Sequence, residues 1–223
     1  MIRRDYILRM VEAAGAALAR ILLRQQAGEI QLALSDVRLT ANELLGLDER
    51  ALASLTDTQL AQILTGGGRL HRECCAVAAM LLKTEADLLD QAGDPDAAQR
   101  QRVKALSLFL EVTVNEVHVS GIDCATEIAV TSRQLAGTCL PAHIEVKLLR
   151  HHELRGEFAL AETVLFRLAE TCGSQVFEAG CAFYGRLRAK DDDALARGDL
   201  PRAEVEAGFE EFRRIHQSSP VHD

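Results

Sequence analysis

Along most of this chain the apolar positions recur three and four residues apart, the spacing of one helix face, and short polar or glycine-bearing segments separate the stretches that follow it. The clearest stretch is 141–172. From Pro141, which suits a first helical turn because its missing N–H is unpaired there anyway, Ile144, Leu148, Leu149 and Leu154 form a stripe. Gly156 can take a positive φ and close that helix, and Glu157 follows where a carboxylate favours the start of the next helix dipole. Phe158, Ala161, Leu165, Leu168 and Ala169 then form a second stripe. The pattern predicts two antiparallel helices hinged at 155–157, with the short Ala161 allowing them to approach closely.

A glycine, an acidic residue, and an alanine five positions after the glycine recur four times: Gly28-Glu29 with Ala33, Gly93-Asp94 with Ala98, Gly156-Glu157 with Ala161, and Gly198-Asp199 with Ala203. Each lies between helical patterns, so each reads as a hairpin turn. This turn resembles the one inside tetratricopeptide (TPR) repeats, which implies an all-α, TPR-like array of antiparallel helical hairpins. The glycines are 65, 63 and 42 residues apart, against roughly 34 in tandem TPRs, so extra helices must separate the hairpins. About nine helices are expected in all. Val112, Val114, Val117 and Val119 hint at a strand, but Leu106, Phe109, Leu110, Thr113 and Val117 keep the helical period, so helix is expected to about Ser120. Another helix is expected from Ser174 to about Ala196. The run Gly66-Gly67-Gly68 divides the chain into an N-terminal hairpin unit, 1–65, and a repeat region, 69–223.

With 48% hydrophobic residues, the 223-residue chain has ample material for a core. Its net charge of −8 argues against a general nucleic-acid or anionic-membrane surface, both of which need a basic face. The longest purely apolar run, 74–82, is about half of what crosses a bilayer, and no signal peptide is visible. The six cysteines contain no CxxC pair and are expected to be buried free thiols in a reducing cytoplasm. Seven of the nine Phe and Tyr residues follow position 150, so the C-terminal core is expected to be the better packed.

No catalytic constellation stands out. His152-Glu153 lacks the second histidine of HExxH, no Glu-x-x-His pair suits a di-iron bundle, and the triple glycine is followed by no GK[ST]. His71 with Cys75, and Cys139 with His143, each supply only half a zinc site. The run Asp191-Asp192-Asp193 reads as solvated helix surface. No enzyme activity, metal or cofactor is therefore expected.

The opening MIRRDY, the segment LLGLD, the glycine break, LPAHIEVKLLRHHELRGEFALAETVLFRL and the closing GDLPRAEVEAGF resemble an uncharacterised bacterial family of TPR-like helical proteins, a domain of unknown function. That resemblance implies an all-helical cytoplasmic protein and supplies no substrate or partner. Counting the TPR-like register from each hinge glycine, the concave face holds Lys83 and Asp87, then His143, Lys147 and Arg150, then Arg188 with Asp192. Lys147 and Arg150 share a helix face with His143 and could grip an acidic peptide. The expectation is a cytoplasmic scaffold or adaptor that binds a protein or peptide in a groove; the alternative is a helical sensor holding a small ligand or metal between hairpins. A homodimer through the apolar face of the N-terminal hairpin is a further possibility.

Overall fold

The computed structural model describes the backbone of residues 2–66 and 72–218, and the regular elements among the described residues are all helices. Three of the four predicted hinges close by one mechanism. They join α1 (Ile2–Gln26) to α2 (Ile30–Leu45), α5 (Arg72–Gln91) to α6 (Pro95–Val114), and α8 (Ala142–Arg155) to α9 (Phe158–Cys172). Gly28, Gly93 and Gly156 take φ of 77°, 84° and 73°, a left-handed conformation that a side chain resists. Each glycine N–H donates to the carbonyl three residues back, and the next N–H donates to the carbonyl five back, as in Gly156 to Glu153 at 3.1 Å and Glu157 to His152 at 2.9 Å. That pair of bonds is the Schellman closure, which satisfies carbonyls the helix end leaves unpaired. The residue after the glycine then accepts from Ala33, Ala98 or Ala161, and all three alanines are fully buried.

The fourth hinge, between α11 (Asp192–Arg197) and α12 (Arg202–Ser218), departs from this pattern. Gly198 has φ −90°, and Asp199 takes the left-handed position at 56°. The closure is shifted by one residue, with Asp199 N donating to Ala196 O and Leu200 N to Leu195 O, both at 3.1 Å. The expected inward alanine, Ala203, is exposed, and Val205 is buried instead. Gly198 is needed for proximity rather than for φ. A Cβ there would run into the Gly156 carbonyl oxygen and the Phe158 ring, and the Gly198 carbonyl accepts from Ala159 N at 3.1 Å. The third and fourth hinges thus pack against each other.

Short helices α3 (Glu49–Ser54) and α4 (Asp57–Thr65) separate the first two hairpins, and α7 (Cys124–Gln134) separates the second from the third. Two expected helices are shorter than the apolar period suggested. α6 stops at Val114 because Glu116 takes φ 53°, after Asn115 Nδ2 has folded back onto the Glu111 carbonyl at 2.8 Å. The predicted helix from Ser174 to about Ala196 is a 3-10 turn at Gly173–Val176, then α10 (Phe177–Arg188), then α11. Asp191 starts α11 by accepting from Ala194 N at 2.6 Å, so part of the acidic run read as solvated surface is a helix cap.

The chain forms two compact units, Met1–Cys139 and Leu140–Asp223. In the first, α5 packs on α1, α2, α4 and α6, and Cys75, Ala76, Val77, Ala78 and Ala79 are consecutively buried. A helix covered on all sides needs apolar residues all round, which accounts for the unbroken apolar run at 74–82. Because α1 and α2 pack on α5, this division differs from the boundary expected at 65–69, where Gly67, Gly68 and Arg69 lie outside the described residues. The N-terminal hairpin exposes Leu22, Leu23, Leu32 and Leu39.

In the second unit α8 pairs with α9, and α12 packs on α10 and α11. Phe183, Tyr184 and Phe212 are fully buried at its centre, with the Phe177 and Phe212 rings stacked 6.2 Å apart. Gly180 leaves room for the Phe212 ring, and Gly208 leaves room for the bond from Tyr184 Oη to Glu162 Oε1, at 2.7 Å. Burial and the adjoining Glu162 carboxylate push the Tyr184 phenol well above its usual range. Among the described residues no helix is long and apolar enough to cross a membrane.

Candidate functional site

Helix α8 sets its charged residues on separate faces. Glu145 and Glu153, eight apart, both turn inward. Each buried carboxylate is met by an arginine from another helix: Arg167 Nη2 donates to Glu145 Oε2 at 2.7 Å, and Arg186 donates to both oxygens of Glu153 at 2.5 and 3.0 Å. Arg150 Nη1 reaches the same Glu153 at 3.3 Å. A carboxylate removed from water needs such donors, and a forked guanidinium supplies two at once. That bond raises the Arg186 pKa still further.

Around Glu153 lies an open cleft of about 440 Å³, lined by Arg150, Glu153, Leu154, Arg186, Ala189 and Lys190. Three cations stand against one carboxylate. Lys190 has no carboxylate within ion-pair distance among the described residues; its ammonium lies 5.4 Å from the Phe158 ring centroid. Leu154 and Ala189 add an apolar strip. A cleft in the first unit, about 210 Å³, instead balances Arg38, Arg100 and Lys104 against Glu49, Glu85 and Asp94. Buried Glu85 there accepts from Arg38 Nε at 3.2 Å and Gln101 Nε2 at 3.0 Å, and burial raises its pKa. Unlike that cleft, the one at Glu153 carries an excess of positive charge.

The sequence-predicted groove residues divide. His143, Lys147 and Arg150 follow one another at i, i+4 and i+7 on α8, His143 and Arg150 being exposed and Lys147 half-buried, and Arg150 lines the cleft. Arg188 does not line it. It forms a forked pair with Glu206 and stacks 4.2 Å from the Phe209 centroid, while Arg186 and Lys190 take the cleft-facing positions. Asp192 pairs with Arg202 at 2.5 Å. Lys83 and Asp87 belong to the first unit, where Lys83 bonds Glu127 at 2.6 Å and Asp87 bonds Arg102 at 2.9 Å. Arg186 and Glu153 were the residues missed. Glu153 carried a signal, a carboxylate on the apolar face of α8 where it needs a partner, whereas exposed Arg186 carried none.

The cysteines are less uniformly buried than expected. Cys75 and Cys124 are buried, Cys74, Cys172 and Cys181 are intermediate, and Cys139 is exposed. His71 lies outside the described residues.

No curated protein and no solved structure matches the chain. A family model does match, over residues 1–217, and its description assigns no activity. The chain belongs to the Family of unknown function (DUF6483).

Proposed function

We propose that this protein is a cytoplasmic helical scaffold, a binding module rather than an enzyme, that takes an acidic peptide segment of a partner protein into the cleft between α8 and α10. The observation that carries this reading is the excess of Arg150, Arg186 and Lys190 over the single buried Glu153 on a chain whose net charge is −8. Glu153 fixes Arg186 in place, so the cleft is preorganised and loses little side-chain freedom on binding. Arg150 and Lys190 are exposed and supply the adjustable cations, and Leu154 with Ala189 offers an apolar strip for a flanking side chain. Hairpins stacked in the manner of TPR-like proteins present such clefts to extended peptides.

The test is charge reversal at the two exposed cations of the cleft; Glu153 keeps both bonds from Arg186 when Arg150 is replaced. Arg150→Glu/Lys190→Glu should abolish capture of a stoichiometric partner from native lysate, and should weaken binding of a glutamate-rich peptide about tenfold or more by fluorescence anisotropy. Thermal stability should stay within a few degrees of the parent, since exposed charges contribute little. Equal binding by parent and variant would sink the reading.

A further inference from the structure

At the third hinge the last turn of α8 brings two adjacent histidines to the point where the chain reverses. His151 is buried at 3% exposure, and the His152 side chain is 16% exposed. The Schellman closure at Gly156 turns Glu157 back under them, so that His152 Nδ1 lies 2.7 Å from Glu157 Oε2. One ligand atom from each of His151, His152 and Glu157 lies within 4.8 Å of the other two. The two rings meet edge to face at 66°, with centroids 5.4 Å apart.

We propose that His151, His152 and Glu157 form a binding site for a divalent transition-metal ion of the zinc class. Two imidazole nitrogens and one carboxylate oxygen are the donor set such ions take, with a remaining position for water. An imidazole has two ring nitrogens, so His151 can turn one to the ion while the other keeps a protein partner. The C-terminal end of α8 adds the negative end of a helix dipole, which favours a cation there. In a tetrahedral site with bonds near 2.0–2.1 Å the ligand atoms sit about 3.4 Å apart, so the ion enters once the His152–Glu157 contact opens slightly. The remaining Glu157 oxygen accepts from Arg155 Nε at 2.7 Å, an outer hydrogen bond of the kind that orients a ligating carboxylate. This inference uses a different face of the hinge from the peptide cleft and does not depend on it.

The experiment is calorimetric titration of the chelator-treated full chain with Zn²⁺ alone, followed by Co²⁺ substitution read in the visible spectrum. One equivalent should bind per chain. His152→Ala and Glu157→Gln, at partly exposed positions, should each weaken it about tenfold or more, and Arg155→Gln, which disturbs the outer hydrogen bond, should weaken it less. Helical content by circular dichroism separates loss of a ligand from loss of the fold, and the Arg155 variant tests the site without removing any ligand. The Co²⁺ form should show no thiolate charge-transfer band. Absence of binding, unchanged affinity in both ligand variants, or thiolate ligation through the cysteines would overturn the proposal.

Discussion

Gly198→Ala tests the packing of the two hinges in the second unit, with Gly156→Ala as its comparator. At Gly156 the φ of 73° is the obstacle, because a Cβ there meets only the Phe158 ring at an ordinary 3.9 Å. Left-handed alanine costs about 1–2 kcal/mol, and the stiffer unfolded chain returns about 0.4–1 kcal/mol, leaving a net loss of about 0.5–1 kcal/mol. Gly198 reverses this balance. Its φ of −90° suits alanine, but the new Cβ collides with the backbone oxygen of Gly156 and with the buried Phe158 ring. Backbone cannot swing aside as a flexible side chain would, so the hinges must separate, at an overpacking cost of about 1–3 kcal/mol. Separation also weakens the Ala159 to Gly198 bond, worth about 1 kcal/mol. After the unfolded-state gain the net loss is about 2–3 kcal/mol, or roughly 5–10 °C in Tm for a chain of this size. Urea and thermal unfolding followed by far-ultraviolet circular dichroism should rank Gly198→Ala clearly below Gly156→Ala. If Gly198→Ala matches the parent, or loses less than Gly156→Ala, the close approach of the hinges is refuted.

Further consequences follow from buried polar groups. Burial raises the Glu85 pKa above its ordinary 4.5, so the folded state keeps a proton that the unfolded chain releases. Stability from this residue is therefore full below about pH 4.5 and declines as pH rises through the raised folded value. Glu85→Gln should flatten that decline, and parallel urea curves from pH 4 to 8 that keep the same slope would contradict it. Tyr184→Phe leaves the half-buried Glu162 carboxylate without its donor and should cost about 1.5–2 kcal/mol by urea unfolding, with a loss below about 0.5 kcal/mol refuting the bond's role. Cys139 is exposed, whereas Cys124 is buried and its thiol is pushed up to about 11. A thiol reagent on native protein should label Cys139 first and reach Cys124 only on unfolding; labelling unchanged in Cys139→Ser would contradict that order.

The cleft at Glu153 was half legible in the sequence. Arg150 could be placed from its spacing to His143 and Lys147, because an unbroken helix carries one face along its length. Arg186 could not. The register behind Arg188 was counted back from Gly198, but that glycine closes α11 rather than α10, and its turn is shifted by one residue. A helix advances about 100° per residue, so the two-residue error from 186 to 188 lands on the opposite face. The cluster of His151, His152 and Glu157 was hidden for a related reason. His151 and His152 look unremarkable until the Gly156 closure turns Glu157 back toward them, and linear spacing does not reveal a contact across a reversal.

The all-helical character, the hairpin turns at Gly28, Gly93 and Gly156, and the buried alanine after each were determined by the sequence alone, because apolar period, positive φ and the Schellman bonds are local properties of a few adjacent residues. Tertiary structure decided what lies between and across those turns. It broke the predicted 174–196 helix into two, ended α6 at Val114, and placed α1 and α2 on α5 within the first compact unit. It also gave Gly198 a steric role in place of a conformational one, and gathered three cations around Glu153. Those outcomes depend on which helix faces meet, and that is set by contacts between residues distant in the chain.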